Sequence, residues 1–210
     1  MGLITRTISF IGTGYEDLVL CLSMCLRELN IRTLICDRSV EHIIYTYLPH
    51  VEGIDPGKEI LDAGLAHYTY GKQTGEYDIV LNLNDFDGEP DTGSTVIAVT
   101  DEHRRHFEAL EKLKIKNADM LIIRYFTGAV KGLYDKMNDN SAFKDVFAVA
   151  FSEQDLEAEY HMEWGKKKGF SGISDQMEEV IKMLLKISAC ECTEKELKKA
   201  YKKAKRGRKQ

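Results

Sequence analysis

The stretch from Thr7 to Ser39 limits what this chain can fold into more than any other. An apolar run, Ile8 to Ile11, meets a small loop, Gly12-Thr13-Gly14; a long segment follows, and a second apolar run, Thr33 to Cys36, stops at Asp37. Near-continuous apolar runs of this kind suit strands buried on both faces of a parallel sheet. Between them Leu18, Val19, Leu22, Cys25, Leu26 and Leu29 recur at helical spacing, the stripe of a helix lying on that sheet. Asn30 tolerates the left-handed conformation at a helix end. The layout is strand, tight turn, helix and parallel strand. The loop supplies glycines and no lysine, and two acids, Glu16 and Asp17, open the helix.

The same rhythm continues downstream. Strands are predicted at Tyr77 to Leu83, Thr95 to Val99, Asp119 to Arg124 and Val146 to Phe151. Helices are predicted from Thr100-Asp101-Glu102 to about Lys116, from about Gly128 to Met137, from Ser152-Glu153 to about Trp164, and over Asp175 to Ile187. Residues 38 to 76 read as a variable excursion with a short helix at Lys58 to Ala63 and a strand at His67 to Tyr70. Strands alternating with helices imply an α/β fold, a mostly parallel twisted sheet with helices on both faces. The expectation is a single α/β domain over residues 1–189, followed by a basic helical tail over 190–210.

Composition excludes several classes. Apolar residues make up 43% and charged residues 30%, ordinary for a globular protein, and no apolar run approaches the length of a membrane span. Without a leader-like N-terminus, the expected location is cytoplasmic. Cys21, Cys25 and Cys36 sit in apolar contexts and read as small hydrophobes. Cys190-x-Cys192 lacks the second pair that zinc requires, so no metal ligand is assigned. Between Thr193 and Gln210 nine Lys or Arg and two Glu give this end +7, which leaves −12 on the rest of a chain whose net charge is −5. An acidic body disfavours nucleic acid as a partner. In the tail, Thr193 and Glu196 form a capping-box pattern, and Leu197, Ala200, Tyr201 and Ala204 form a narrow apolar stripe. Two readings stand side by side: a solvated helix, or a docking tail for an acidic membrane surface or acidic partner, with peripheral membrane association.

The order of segments from 7 to 187 resembles the MinD/ParA-like (SIMIBI-class) P-loop ATPases, including the CpaE/TadZ-type members associated with pilus assembly. The likeness lies in the first strand, loop and helix, the strand ending at Asp37, and the Tyr77-Asp78 opening of the third. It continues in the Thr95 to Val99 strand running into a helix at Asp101, and in the late Val146 to Phe151 strand with Glu153, Asp155, Gly165 and Ser174. A working loop of that family carries two lysines and a Ser or Thr that hold phosphate and magnesium. Gly12-Thr13-Gly14-Tyr15-Glu16-Asp17 is shorter and has none, and acids stand where phosphate would meet the helix N-terminus. What the resemblance implies is a pseudo-ATPase, a scaffold or localisation adaptor in pilus or secretion assembly, with protein partners and homodimerisation. It implies a cofactor site at Gly12, Thr13, Gly14, Tyr15 and Asp37 that takes ATP or ADP weakly or no cofactor, and it assigns no catalytic residue.

A second reading uses the same residues. Gly12-x-Gly14 after a strand, with Asp37 closing the next, fits a dinucleotide-binding oxidoreductase of Rossmann type, in which the acid holds ribose hydroxyls; its third glycine is replaced by Asp17. Asn82, Asn84, Asp85 and Asp87 either organise water or metal, as in the family, or bond locally in an Asn/Asp/Gly turn. His103, Arg104, Arg105 and His106 point different ways around a helix and read as a solvated face. Trp164 reads as packing at a helix end or as a partner anchor.

Overall fold

The computed structural model describes residues 5–48, 61–62, 65–70, 76–112, 118–130, 132–163 and 169–207. Eight strands form one sheet: β1 (Arg6–Gly12), β2 (Thr33–Asp37), β3 (Leu61–Asp62), β4 (His67–Thr69), β5 (Ile79–Asn84), β6 (Thr95–Thr100), β7 (Ala118–Phe126) and β8 (Phe143–Ala150). Their order is β3-β4-β2-β5-β1-β6-β7-β8, and every neighbouring pair is parallel except β3 with β4, an antiparallel scrap at the edge. β1 lies between β5 and β6 with a core on each face, so the run Ile8 to Ile11 is buried throughout, including Ser9, whose hydroxyl donates to that of Ser94 at 3.0 Å.

Helices cover both faces unequally. α1 (Glu16–Glu28), α2 (Ile44–Tyr47), α5 (Glu153–Glu163), α6 (Asp175–Ser188) and α7 (Glu194–Arg206) share one core with Ile8, Phe10, Ile97, Val99, Met120 and Ile122. α3 (Arg104–Lys112) and α4 (Leu133–Asn138) share the other with Ile11, Ala98, Leu121 and Ile123. Alternate residues of each central strand thus enter opposite cores. α1 is the centre of the thicker layer, and every residue from Asp17 to Leu26 is buried. Sequence periodicity shows one stripe. The small Cys21 and Ser23, outside that stripe, let other helices close over α1, and Cys21 lies 3.9 Å from the Met162 sulfur.

Several expectations change. Leu61 and Asp62 belong to β3 rather than to a helix over Lys58 to Ala63; the rest of that proposed helix lies outside the described residues, as does Trp164. The helix expected from Gly128 begins only at Leu133, after Gly132 in the left-handed region (φ 73°). Asn30 is left-handed as expected (φ 58°), and Thr193 and Glu196 form a complete capping box. The stripe on α7 is not left on the surface. Tyr201 is 4% exposed and packs edge-to-face on Phe170 at 5.5 Å, and the last turn of α7 presses so closely on Gly169 that a Cβ there would lie 2.5 Å from the Gly207 nitrogen.

Candidate functional site

The loop after β1 opens at the carboxyl ends of the parallel strands, where α/β sheets bind ligands. Gly12 is required there by geometry. Its φ is +124°, and a Cβ would sit 1.9 Å from the Val99 carbonyl oxygen of β6. That carbonyl accepts from the Thr13 amide at 3.1 Å, so the loop is pinned to β6. Tyr15 is the N-cap of α1, makes no side-chain cap, and is 3% exposed with its ring against Phe10.

Beneath the loop lies an ion pair. Arg124 of β7 is 1% exposed and grips Asp17 with both terminal nitrogens, at 2.7 and 2.9 Å, while one of them also donates to the Gly14 carbonyl at 2.8 Å. Burial opposes the Arg124 charge, but Asp17 outweighs it and holds the guanidinium protonated. Asp17 also accepts from the Leu18 amide at 2.8 Å. The two acids at the start of α1 are therefore unlike. Asp17 points inward and is neutralised. Among the described residues Glu16 has no ion-pair partner; burial pushes its carboxyl up to about 7, and Asp17 and Glu159 push the same way.

A bulge in β7 completes the cluster. Ile123 pairs with Ala148 and Phe126 with Ala150, so β7 carries one extra residue, and Tyr125 takes it up in the left-handed region at φ 53°. Alternation already points Arg124 toward α1; the bulge turns Tyr125 to the same side. Its hydroxyl donates to Glu159 of α5 at 2.7 Å, and the Tyr47 hydroxyl of α2 donates to the other oxygen at 3.0 Å. Burial and the charge of Asp17 raise the Glu159 carboxyl. Arg124, Tyr125, Glu159 and Tyr47 were not singled out by sequence. The available signal was Arg124 itself, a cation ending the apolar run of β7, which demands a buried acid.

Asp37 stands apart from this cluster. It is fully buried, accepting from the Ser39 amide and hydroxyl at 3.0 and 2.6 Å and from the Tyr68 hydroxyl at 3.0 Å, with His42 Nδ1 3.5 Å away. β5 lies between its strand and β1, a separation of about 10 Å across the sheet. Of the proposed cofactor residues, Gly12, Thr13, Gly14 and Tyr15 share one loop; Asp37 lies two strands away and is linked to it through Ser39, whose hydroxyl donates to Asp37 and is also hydrogen-bonded with the Tyr15 side chain.

The Asn/Asp residues at the end of β5 and just after it are tied into the fold: Asn82 and Asn84, in the strand, donate to Asp91 at 2.6 Å and to the Phe10 carbonyl at 3.3 Å, and Asp85, in the turn, accepts from the Val40 amide at 2.7 Å. In the basic run after β6, His106 departs from a solvated face. It lies 2.8 Å from Asp101 and stacks on Phe86, while Arg104 pairs with Glu108. Among the described residues no group of three or more His, Cys, Asp or Glu is arranged to hold a metal ion, and no helix is long and apolar enough to cross a membrane. The sequence matches no family model and no curated protein.

Proposed function

We propose that the chain is a degenerate MinD/ParA-like domain, a pseudo-ATPase that works as a scaffold or localisation adaptor, in a pilus or secretion assembly, without turning over ATP. The observation that carries this reading is the Arg124 fork on Asp17 and Gly14. A phosphate loop offers free backbone amides and a cation to its ligand. Here the Thr13 amide is held by Val99, and the nearby cation is held by Asp17. The loop itself, residues 12–17, has no lysine to replace it. A second observation supports protein partners. Val40, Ile43 and Tyr70 beyond β2 and β4, and Val130 and Phe151 beyond β7 and β8, are exposed by 37% or more, so apolar side chains stand on the carboxyl rim of the sheet to either side of the loop. Homodimerisation across that rim belongs to the same reading.

The dinucleotide reading is less well supported. Its fold sets the second strand directly beside the first, so that the acid reaches the ribose; here β5 intervenes and Asp37 is occupied by Ser39 and Tyr68. Purified protein incubated with ATP and magnesium is expected to release no phosphate above background. Magnesium-dependent hydrolysis that disappears in Gly14→Ala would overturn the proposal. A nicotinamide or flavin bound by the parent and released in Asp37→Ala would establish the dinucleotide reading instead.

A further inference from the structure

The buried residues of α7, Ala200, Tyr201 and Ala204, are each 4% exposed or less. At roughly 100° per residue, Lys195, Lys198, Lys199, Lys202 and Arg206 fall within an arc of about 100° on the opposite side of the helix. All five are exposed, and among the described residues none is in an ion pair, whereas Lys203 reaches Glu28 and Lys205 reaches Glu178. The row rises about 16 Å along the helix axis. Because α7 is capped by Thr193 and Glu196 and anchored on the core, the row is held ready rather than formed on binding.

We propose that this row is a docking ladder for an acidic protein segment rich in Asp and Glu. Lys198, Lys202 and Arg206 are spaced about 6 Å apart along the axis, the interval of carboxylates at every fourth residue of a partner helix. The row is also narrow. Glu194 and Glu196 are exposed on its two flanks, and beyond its start the Glu191 side chain, 3.6 Å from Arg6, is 89% exposed. A single acidic strand or helix fits between these carboxylates; a flat anionic bilayer or a broad duplex presses on them. The apolar face of α7 is turned into the core, so nothing is left to insert among lipid chains. No aromatic side chain lies in the row to stack on bases. The surface belongs to α7 alone and holds whether or not nucleotide binds at the loop after β1.

The test uses the full chain and three probes: labelled poly-L-glutamate, phosphatidylserine vesicles and a short DNA duplex. Poly-L-glutamate is expected to bind most tightly, and its affinity to fall at least about tenfold between about 50 and about 200 mM salt, as screening shortens the reach of exposed charges. The triple variant Lys198→Glu/Lys202→Glu/Arg206→Glu is expected to bind at least about tenfold more weakly with an unchanged unfolding midpoint. If that variant does not fold, Lys198→Gln/Lys202→Gln/Arg206→Gln, which adds no negative charge, carries the same comparison. Absence of poly-L-glutamate binding at low salt, equal binding by the folded variant, or tighter binding to vesicles or duplex overturns the proposal.

Discussion

Asp17 and Arg124 are 107 residues apart in sequence, and their side chains meet in a two-pronged ion pair of 2.7 and 2.9 Å with neither group more than 3% exposed. The pair joins the first turn of α1 to the end of β7 and holds the Gly14 carbonyl as well. It gives the loop after β1 an internal cation in the region where a nucleotide loop would direct its own to phosphate.

Removing one partner is expected to be far worse than removing both. Arg124→Met leaves Asp17 buried without a counter-charge, at a cost of about 3 to 5 kcal/mol, whereas Asp17→Leu/Arg124→Met recovers at least about half of that loss. Urea unfolding of the two variants gives the comparison. A single variant within about 1 kcal/mol of the parent would show that the pair does not hold the loop.

Glu16 predicts a pH dependence of definite sign. Its folded-state pKa, about 7, lies above the ordinary carboxylate value of 4.5, so between these limits the folded chain binds more protons than the unfolded one. This contribution to stability therefore falls as pH rises through the window and is level above it. Glu16→Gln stays neutral and is expected to be more stable than the parent by about 1 to 2 kcal/mol near pH 8, with the gap closing below about pH 5. A gap of equal size at both pH values would refute the assignment.

The two loop glycines are expected to differ. At Gly12 a Cβ overlaps the Val99 carbonyl, so Gly12→Ala loses about 3 kcal/mol or more, or fails to fold. Gly14 is also left-handed, at φ 70°, but nothing lies within 4 Å of the added carbon, so Gly14→Ala loses only about 1 kcal/mol. Thermal unfolding of the two proteins ranks them, and the reverse order would contradict the pinned loop.

Tyr201 tests whether α7 belongs to the core. Tyr201→Ala is expected to lose about 3 to 5 kcal/mol by opening a cavity beside Phe170. The Tyr201 hydroxyl is buried and has no hydrogen-bond partner among the described residues. Tyr201→Phe is accordingly expected to match or exceed the parent in stability. A solvated tail would make both substitutions silent in a denaturation curve.

The parts of the fold that local pattern specifies were legible. β1, α1 and β2 follow from runs and stripes in one short stretch, Asn30 from its tolerance of positive φ, and the start of α7 from Thr193 and Glu196. The strands β4 to β8 appear near their expected places because each is an apolar run bounded by polar turns. The site was legible only in part. Gly12 was, since a tight turn names its residue. The bulge at Tyr125 was not, because an extra residue in β7 is defined only against its partner strand β8. Nor was the Tyr47–Glu159–Tyr125 bridge, which joins three elements at long sequence separation.

By itself the sequence determined the long strands and helices, though not α2 or β3 in the excursion after β2, because periods of two and of 3.6 residues are local properties that burial of apolar side chains turns directly into structure. The tertiary structure alone decided what the charges and the tail do. Asp17 reads as a repulsive acid until the sheet order brings Arg124 beneath it, and the stripe on α7 reads as a free surface until Phe170 and Gly169 are found against it. The energy of a charge or an apolar face depends on what surrounds it in space, and that neighbourhood is set by a strand order that no window of sequence contains.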